Sequence, residues 1–384
     1  MRITLIISRI AIGGAERVIT VMANYWATHR HDVTLVTIGS QEDDYYVVPS
    51  QVKRIGLNLG GSSQNLAAAV WHNAKRLKRL RSEIRANRPD VVISFIDVTN
   101  VLTLLASIGL RVPVIVSERS TPGRHAIGFA WNGLRYLLYR RAQALVMQSD
   151  DLRAWACRFV RDRAVYVIPN PVERPLAVSN RSVASRDTSR CVVAMGHLTR
   201  VKGYDLLLRA FAKCATKHSE WSLLILGEGE ERGPLETLVG ELGLKDRVSL
   251  PGCVRNPGQI LQGVDLFVMS SYYEGSSNAL LEAMACGLAV IATDCASSVR
   301  EVICHGVNGV VVPSNNENAL ATEMDRLMED QGERERLGAL ALEVTERFGV
   351  ERVMGMWDTA VQQVHHRVRG NTQLRSASAS QDLH

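Results

Sequence analysis

The 384-residue chain is long enough for two domains, each able to bury its own core. Its 46% hydrophobic and 22% charged residues are a globular composition, and no apolar run is long enough to span a bilayer. A disordered, collagen-like or membrane-spanning chain is therefore excluded. The net charge of +6 divides unevenly: residues 1–180 carry 24 Lys+Arg against 13 Asp+Glu (+11), and the remainder 21 against 26 (−5). A basic first half suits anionic lipid or a polyanionic substrate. Nucleic acid is the weaker option, because no binding motif or set of stacking aromatics accompanies the cations.

Seven scattered cysteines without a Cys-x-x-Cys pair argue against a disulfide framework and a zinc site, and they fit a reducing cytosol. The opening MRITLIISRI lacks the apolar core and cleavage site of a signal peptide and reads as a first strand.

Short apolar runs alternate with amphipathic stretches along the chain. The first half predicts strands at 3–8, 33–38, 91–95, 112–117, 144–147 and 165–168. The second predicts them at 191–195, 222–226, 248–250, 266–270, 289–293 and 310–312. Apolar strands separated by helices mean parallel sheets covered on both faces, an α/β class. The alternation breaks near 169–175 and in the polar stretch 179–190, a linker composition. The expected domains are therefore 1–175 and 176–350, two doubly wound sheets with ligands at the carboxyl ends of their strands. Residues 351–368 read as a C-terminal helix, and the polar stretch 369–384 as a disordered tail.

Chemistry first shows after the first strand, at Gly13-Gly14-Ala15-Glu16-Arg17. Paired glycines let backbone approach a ligand, and amides at the start of a helix favour an anion such as phosphate. An ordinary tight turn would use the same residues, and this is not the G-x-G-x-x-G dinucleotide pattern. Exiting the first strand of the second domain, Gly196-His197-Leu198-Thr199-Arg200-Val201-Lys202-Gly203 offers two cations able to clamp a diphosphate, or ordinary surface charges.

The stretch Tyr272-Tyr273-Glu274-Gly275-Ser276-Ser277-Asn278-Ala279-Leu280-Leu281-Glu282 is more specific. It runs from a strand through a small-residue turn into a helix. Glu274 precedes that helix and Glu282 lies about one turn inside it, so both can face one pocket. The amides of Ser276–Ala279 form an anion site between them, and Glu282 can accept two ribose hydroxyls. Helix-dipole preference for acids explains Glu274 but not the Gly-Ser-Ser turn.

Glu274-x7-Glu282 within EGSSNALLEAMACGLAVIATD resembles the signature of retaining glycosyltransferase family 4, whose fold is GT-B. The Gly-Gly turn, the GHLTRVKG loop, Leu226-Gly227-Glu228-Gly229 and Ile168-Pro169-Asn170-Pro171 stand where that family has counterparts. The resemblance covers about 1–365 and is greatest to bacterial enzymes building saccharides on undecaprenyl diphosphate.

The resemblance implies that Arg200 and Lys202 hold the donor diphosphate, Glu282 the ribose and Glu274 the transferring sugar. Gly275, Ser276, Ser277, Asn278 and Ala279 would support sugar and phosphate, with Gly13 and Gly14 bringing an amide to the diphosphate. Val254, in Gly252-Cys253-Val254-Arg255, would lie beside the base. Two departures are visible: His197 follows Gly196 where the family often has arginine, and Ser117-Glu118-Arg119-Ser120 stands where many relatives have a histidine. Arg119 stays protonated and is no general base; Glu118 would orient the acceptor, or cap a helix.

The implied reaction moves a sugar with retention from a nucleotide-sugar, a UDP-sugar, to a lipid-linked saccharide. No cofactor is implied. No Asp-x-Asp occurs, so no essential metal is expected. A 2-epimerase of the same fold and a non-catalytic nucleotide-sugar sensor are the alternatives. The cations of 75–88 and the aromatic, aliphatic and Arg residues of 129–141 suit an anionic membrane surface, implying a peripheral enzyme on the cytoplasmic face, or else solvated and core-packed helices.

Overall fold

The computed structural model describes residues 1–61, 65–119, 127–175 and 190–381. The chain divides into two compact units, Met1–Pro171 with Glu351–His384, and Val172–Val350. Most of the polar stretch 179–190, and Ser120, lie outside the described residues.

The first unit holds β1 (Arg2–Ile7), β2 (Asp32–Thr37), β3 (Lys53–Gly56), β4 (Val91–Phe95), β5 (Val114–Ser117), β6 (Ala144–Met147) and β7 (Val165–Val167). They form one parallel sheet in the order β3-β2-β1-β4-β5-β6-β7. The second holds β8 (Arg190–Met195), β9 (Trp221–Leu226), β10 (Val248–Gly252), β11 (Leu266–Met269), β12 (Ala289–Asp294) and β13 (Val310–Pro313), parallel in the order β10-β9-β8-β11-β12-β13. Central strands such as β4 are buried at every position, so their sequence is continuously apolar rather than alternating. These are the two doubly wound α/β sheets of the GT-B fold.

In each sheet the order reverses once, between β1 and β4 and between β8 and β11. Loops leaving adjacent strands diverge there and open a crevice at the carboxyl ends. The strand β3 was not anticipated: Lys-Arg-Ile-Gly has no apolar run, and only pairing with β2 at the sheet edge makes it a strand.

The last helix, Val350–Gln381, belongs from Glu351 onward to the first unit. Trp357 is fully buried against Phe95 (ring centroids 6.1 Å apart) and edge-on to Trp26 (6.5 Å). Trp26 Nε1 donates to Asp358 Oδ1 at 2.6 Å, and Tyr166 Oη to Gln363 Oε1 at 2.7 Å. An aromatic so buried contributes about 3–5 kcal/mol against truncation to alanine. The tail read as disordered from 369 continues this helix to Gln381. Beyond Gly370 it has no proline or glycine to stop a helix already nucleated.

Candidate active site

Three loops converge at the crevice of the second sheet. Register sets their neighbourhood: Met195 pairs Leu226 between β8 and β9, and Val193 pairs Phe267 between β8 and β11. The turn Arg200–Lys202 follows β8 and ends at Gly203, whose left-handed φ of +61° begins the helix Tyr204–Ala215. A Cβ on Gly203 would stand 2.3 Å from the Ser270 carbonyl oxygen, so only glycine lets this turn lie against the exit of β11. Backbone bonds then join the loops, Tyr272 N donating to Val201 O at 2.8 Å and Ser270 Oγ to Lys202 O at 3.0 Å.

Those bonds place Lys202 beside Glu274. Lys202 Nζ donates to Glu274 Oε1 at 2.5 Å, and Ser271 Oγ donates to the same oxygen at 2.8 Å. The pair is partly sheltered, the side chains being 23% and 10% exposed. Sequence reasoning assigned one to phosphate and the other to sugar; the structure shows them neutralising each other. Arg200 is exposed, and its guanidinium has no ion pair or hydrogen bond among the described residues, while its carbonyl accepts from Gly203 N at 3.1 Å. Gly275, Ser276 and Ser277 lead from Glu274 into the helix Asn278–Ala285. Ser277 Oγ caps it by accepting from Leu280 N at 3.3 Å. The first turn carries no acidic residue, a composition that suits an anion at its positive end.

Glu282 is half-buried on the helix face it shares with Asn278 and Ala279, away from the core side of Leu280 and Met284. Val254 follows β10 and packs partly buried beneath the loop. Tyr204 is a residue the sequence reading missed. It is 4% exposed, its hydroxyl has no hydrogen-bond partner, and burial, reinforced by Glu274, raises its phenol. An orphaned buried hydroxyl costs about 1–3 kcal/mol. Its only advance signal was its place just after the Gly203 turn.

In the first unit, Gly13 caps the helix Gly14–Thr28 in extended conformation. The Glu16 carboxylate folds back over the turn: a Cβ on Gly13 would meet its Oε2 at 2.2 Å. The helix start read as a phosphate site is thus already faced by a carboxylate. Tyr46 Oη donates to Gly13 O at 3.3 Å. Ile96, at the exit of β4, has φ of +71°, a strained state for a β-branched residue and one invisible in sequence. Asp97 beside it is buried and accepts from Val98 N at 2.7 Å.

Glu118 needs a correction. It is wholly buried, accepts from Tyr139 Oη at 2.5 Å, and lies 3.9 Å from Arg135 Nη1. Tyr139 in turn accepts from Asn100 Nδ2 at 3.2 Å, and Asn100 Oδ1 accepts from Ser94 Oγ at 2.8 Å. Burial and this carboxylate hold the Tyr139 phenol well above its usual range. A group enclosed in this way positions its core neighbours. Arg119 is half-exposed as a residue, yet its guanidinium is sheltered and stands 4.3 Å from the centre of the Phe95 ring. Its Nη1 donates to Asn170 Oδ1 at 2.6 Å, and burial pushes it down to about 9.

The stretch 129–141 also divides. Phe129 and Leu137 are 97% and 69% exposed, whereas Arg135, Leu138 and Tyr139 are buried. Arg135 therefore is not a surface cation; it turns inward over Trp155. In the helix Leu66–Asn87, Lys75, Lys78, Arg79 and Arg85 stay exposed, as does Arg88 at its end. Arg76 and Arg81 instead bond backbone carbonyls of Leu59, Gly61, Ala106 and Ile108. Among the described residues no helix is long and apolar enough to cross a membrane.

Two doubly wound sheets with a cationic turn and a Glu-x7-Glu helix start at a switch point define a glycosyltransferase of the GT-B fold. The comparisons agree. Residues 12–174 match the family model "Glycosyltransferase Family 4" and 178–343 match "Glycosyl transferases group 1", and the chain belongs to the glycosyltransferases that carry this pair. A Campylobacter jejuni relative, GalNAc-alpha-(1->4)-GalNAc-alpha-(1->3)-diNAcBac-PP-undecaprenol alpha-1,4-N-acetyl-D-galactosaminyltransferase, is 27% identical over 93% of this chain and 97% of its own length. The Erwinia amylovora amylovoran biosynthesis glycosyltransferase AmsD is 25% identical over 90% and 95%. Among solved structures, Anabaena HepE in complex with UDP-glucose superposes with a TM-score of 0.77 at 19% identity, over 96% of this chain and all of that one.

Proposed function

We propose that this chain transfers a sugar, with retention, from a UDP-sugar to a saccharide carried on a lipid diphosphate during assembly of a bacterial cell-surface polysaccharide. The observation that carries the reading is the convergence of Arg200, Lys202, Glu274 and an acid-free helix start at one switch point. In the step proposed, the bond from the sugar's anomeric carbon to the diphosphate oxygen breaks, and its electron pair leaves with the nucleoside diphosphate. The acceptor hydroxyl bonds to that carbon from the same face and passes its proton to the departing phosphate oxygen. Arg200, Lys202 and the amides of Ser276–Ala279 stabilise the leaving charge, Glu274 orients the sugar and Glu282 the ribose. The undecaprenol-linked substrate named for the Campylobacter relative and the UDP-glucose named for HepE support the acceptor and donor classes.

The first unit meets the acceptor at the membrane. Phe129, Leu137 and Trp71 are apolar and exposed, and Trp71 lies under Lys75 on a helix that also exposes Lys78 and Arg79, features that suit an anionic interface on the cytoplasmic face. The deciding experiment incubates a donor panel with bacterial lipid extract and follows UDP release together with the mass of lipid-linked products. Release coupled to a glycosylated lipid supports the reading. An epimerised free sugar, or donor binding without turnover, would replace it with an epimerase or a sensor.

A further inference from the structure

The segment after β2 encloses space that the donor-side reading leaves unused. Residues 41–54 form an open cavity of about 490 Å³, lined among others by Glu42, Asp44, Tyr45, Tyr46, Val47 and Pro49. Its size falls within the range of small-molecule clefts. We propose that this cavity is a saccharide subsite, in which a sugar ring of the acceptor stacks on the tyrosine and valine surface while its hydroxyls donate to Glu42. The proposal rests on the glycosyltransferase reading and deepens it: the glycan, as well as its lipid carrier, is recognised.

Four observations carry it. The segment is pinned, so the cavity is built rather than incidental. Tyr45 N donates to Ile10 O at 2.7 Å and Tyr46 Oη to Gly13 O at 3.3 Å, which ties the segment to the residues leaving β1. On its far side Arg54 grips Asp44 through Nε and Nη2, both at 2.7 Å, and also donates to Ile55 O and Thr37 Oγ1.

Second, the position is right: the lining segment leaves the carboxyl end of β2 and is bonded to Ile10 and Gly13, which follow the carboxyl end of β1, the edge at which open α/β sheets bind ligands. Third, the surface is amphipathic in the way a pyranose is. Tyr45 and Tyr46 meet edge to face, 5.2 Å apart at 89°, and Val47 is 89% exposed next to exposed Glu42. A ring with apolar C–H faces and a rim of hydroxyls matches both surfaces at once.

Fourth, charge selects between the acceptor's two parts. Asp44 is neutralised by Arg54, so Glu42 leaves the lining net negative. That disfavours the lipid diphosphate and suits a neutral sugar.

The test uses the full chain with saturating UDP, whose binding is first measured by calorimetry. Saturation-transfer NMR then scores soluble methyl glycosides of hexose and N-acetylhexosamine di- and trisaccharides. At least one should bind, and Tyr45→Ala and Glu42→Gln should each weaken it tenfold or more, with UDP affinity and melting temperature unchanged. Saccharide affinity unchanged in Glu42→Gln as well as Tyr45→Ala would overturn the subsite. So would displacement of the sugar by inorganic pyrophosphate, or a wild-type chain that binds UDP but none of the panel. Absence of UDP binding would instead overturn the UDP-sugar reading on which the subsite rests.

Discussion

The Lys202–Glu274 pair makes an asymmetric prediction about UDP, the product without its sugar. Lys202 must leave Glu274 to reach a diphosphate, so part of its attraction to phosphate is spent on breaking a contact of 2.5 Å. Two unit charges 4 Å apart at an effective dielectric near 20 attract by about 4 kcal/mol before desolvation and side-chain ordering are subtracted. Fully exposed pairs retain about 0–1 kcal/mol net, and breaking a fully buried one costs about 3–5 kcal/mol. At 23% and 10% side-chain exposure this pair lies between those limits, at about 1–2 kcal/mol net.

Glu274→Gln keeps the shape and the Ser271 contact but releases Lys202. UDP should then bind about 5- to 30-fold more tightly, the equivalent of 1–2 kcal/mol. Lys202→Met removes the cation and should weaken UDP, since a charged hydrogen bond contributes about 1.5–3 kcal/mol. Sugar transfer should fall in both variants. Calorimetric titration of UDP into the wild type, both single variants and the double variant closes a mutant cycle. If Glu274→Gln weakens UDP as much as Lys202→Met does, Glu274 and the diphosphate do not compete for Lys202's charge, and the reasoning fails.

Three further outcomes are expected. Glu282→Ala should reduce donor affinity by roughly 1.5–3 kcal/mol without lowering the melting temperature; wild-type affinity and turnover in that variant would refute its assignment to the ribose. Transfer should survive EDTA, and full loss restored by manganese or magnesium would point to a metal site not recognised here. The chain should co-sediment with anionic vesicles at low salt, each nearby cation contributing about 1 kcal/mol and fading within a Debye length. Phe129→Ser with Leu137→Ser should remove the salt-resistant portion, and equal binding to neutral vesicles would leave the cations as solvated surface.

The parallel sheets were legible because burial on both faces leaves an uninterrupted apolar run, as in Val91–Phe95. Where a strand is made by its neighbour, as Lys53–Gly56 is by β2, composition carried no signal. The turns around the residues expected on the donor side were legible in place, since Gly203, Ser277 and the acid-free helix start have local reasons to be where they are. Their pairing was not, because Lys202 and Glu274 are 72 residues apart and meet only through strand register and the Val201–Tyr272 bond. The Glu118 alternatives, an acceptor-orienting acid or a helix cap, stayed open for the same reason. The partners of Glu118, Arg135 and Tyr139, lie a helix away, and a carboxylate at a strand end looks alike whether it faces a ligand or a core.

Charge compensation in the two units has a common consequence for how a donor would be selected. The helix start at Gly13 is faced by the carboxylate of Glu16, and Lys202 is held by Glu274. Of the cations and helix ends assigned to the diphosphate, the Arg200 side chain is exposed and the helix start at Asn278 carries no acid in its first turn. A ligand with phosphate alone gains those contacts but must break the Lys202 pair without compensation for Glu274. A complete sugar nucleotide supplies both partners, phosphate for Lys202 and hydroxyls for Glu274, so the exchange leaves neither charge stranded. On the proposed reading, discrimination of donor from free nucleotide would arise from the carboxylate opposite the lysine, and product UDP would be released once its sugar is gone, since Glu274 can reclaim Lys202. Binding energy withheld from the product in this way leaves the site open for the next donor rather than occupied by the last leaving group.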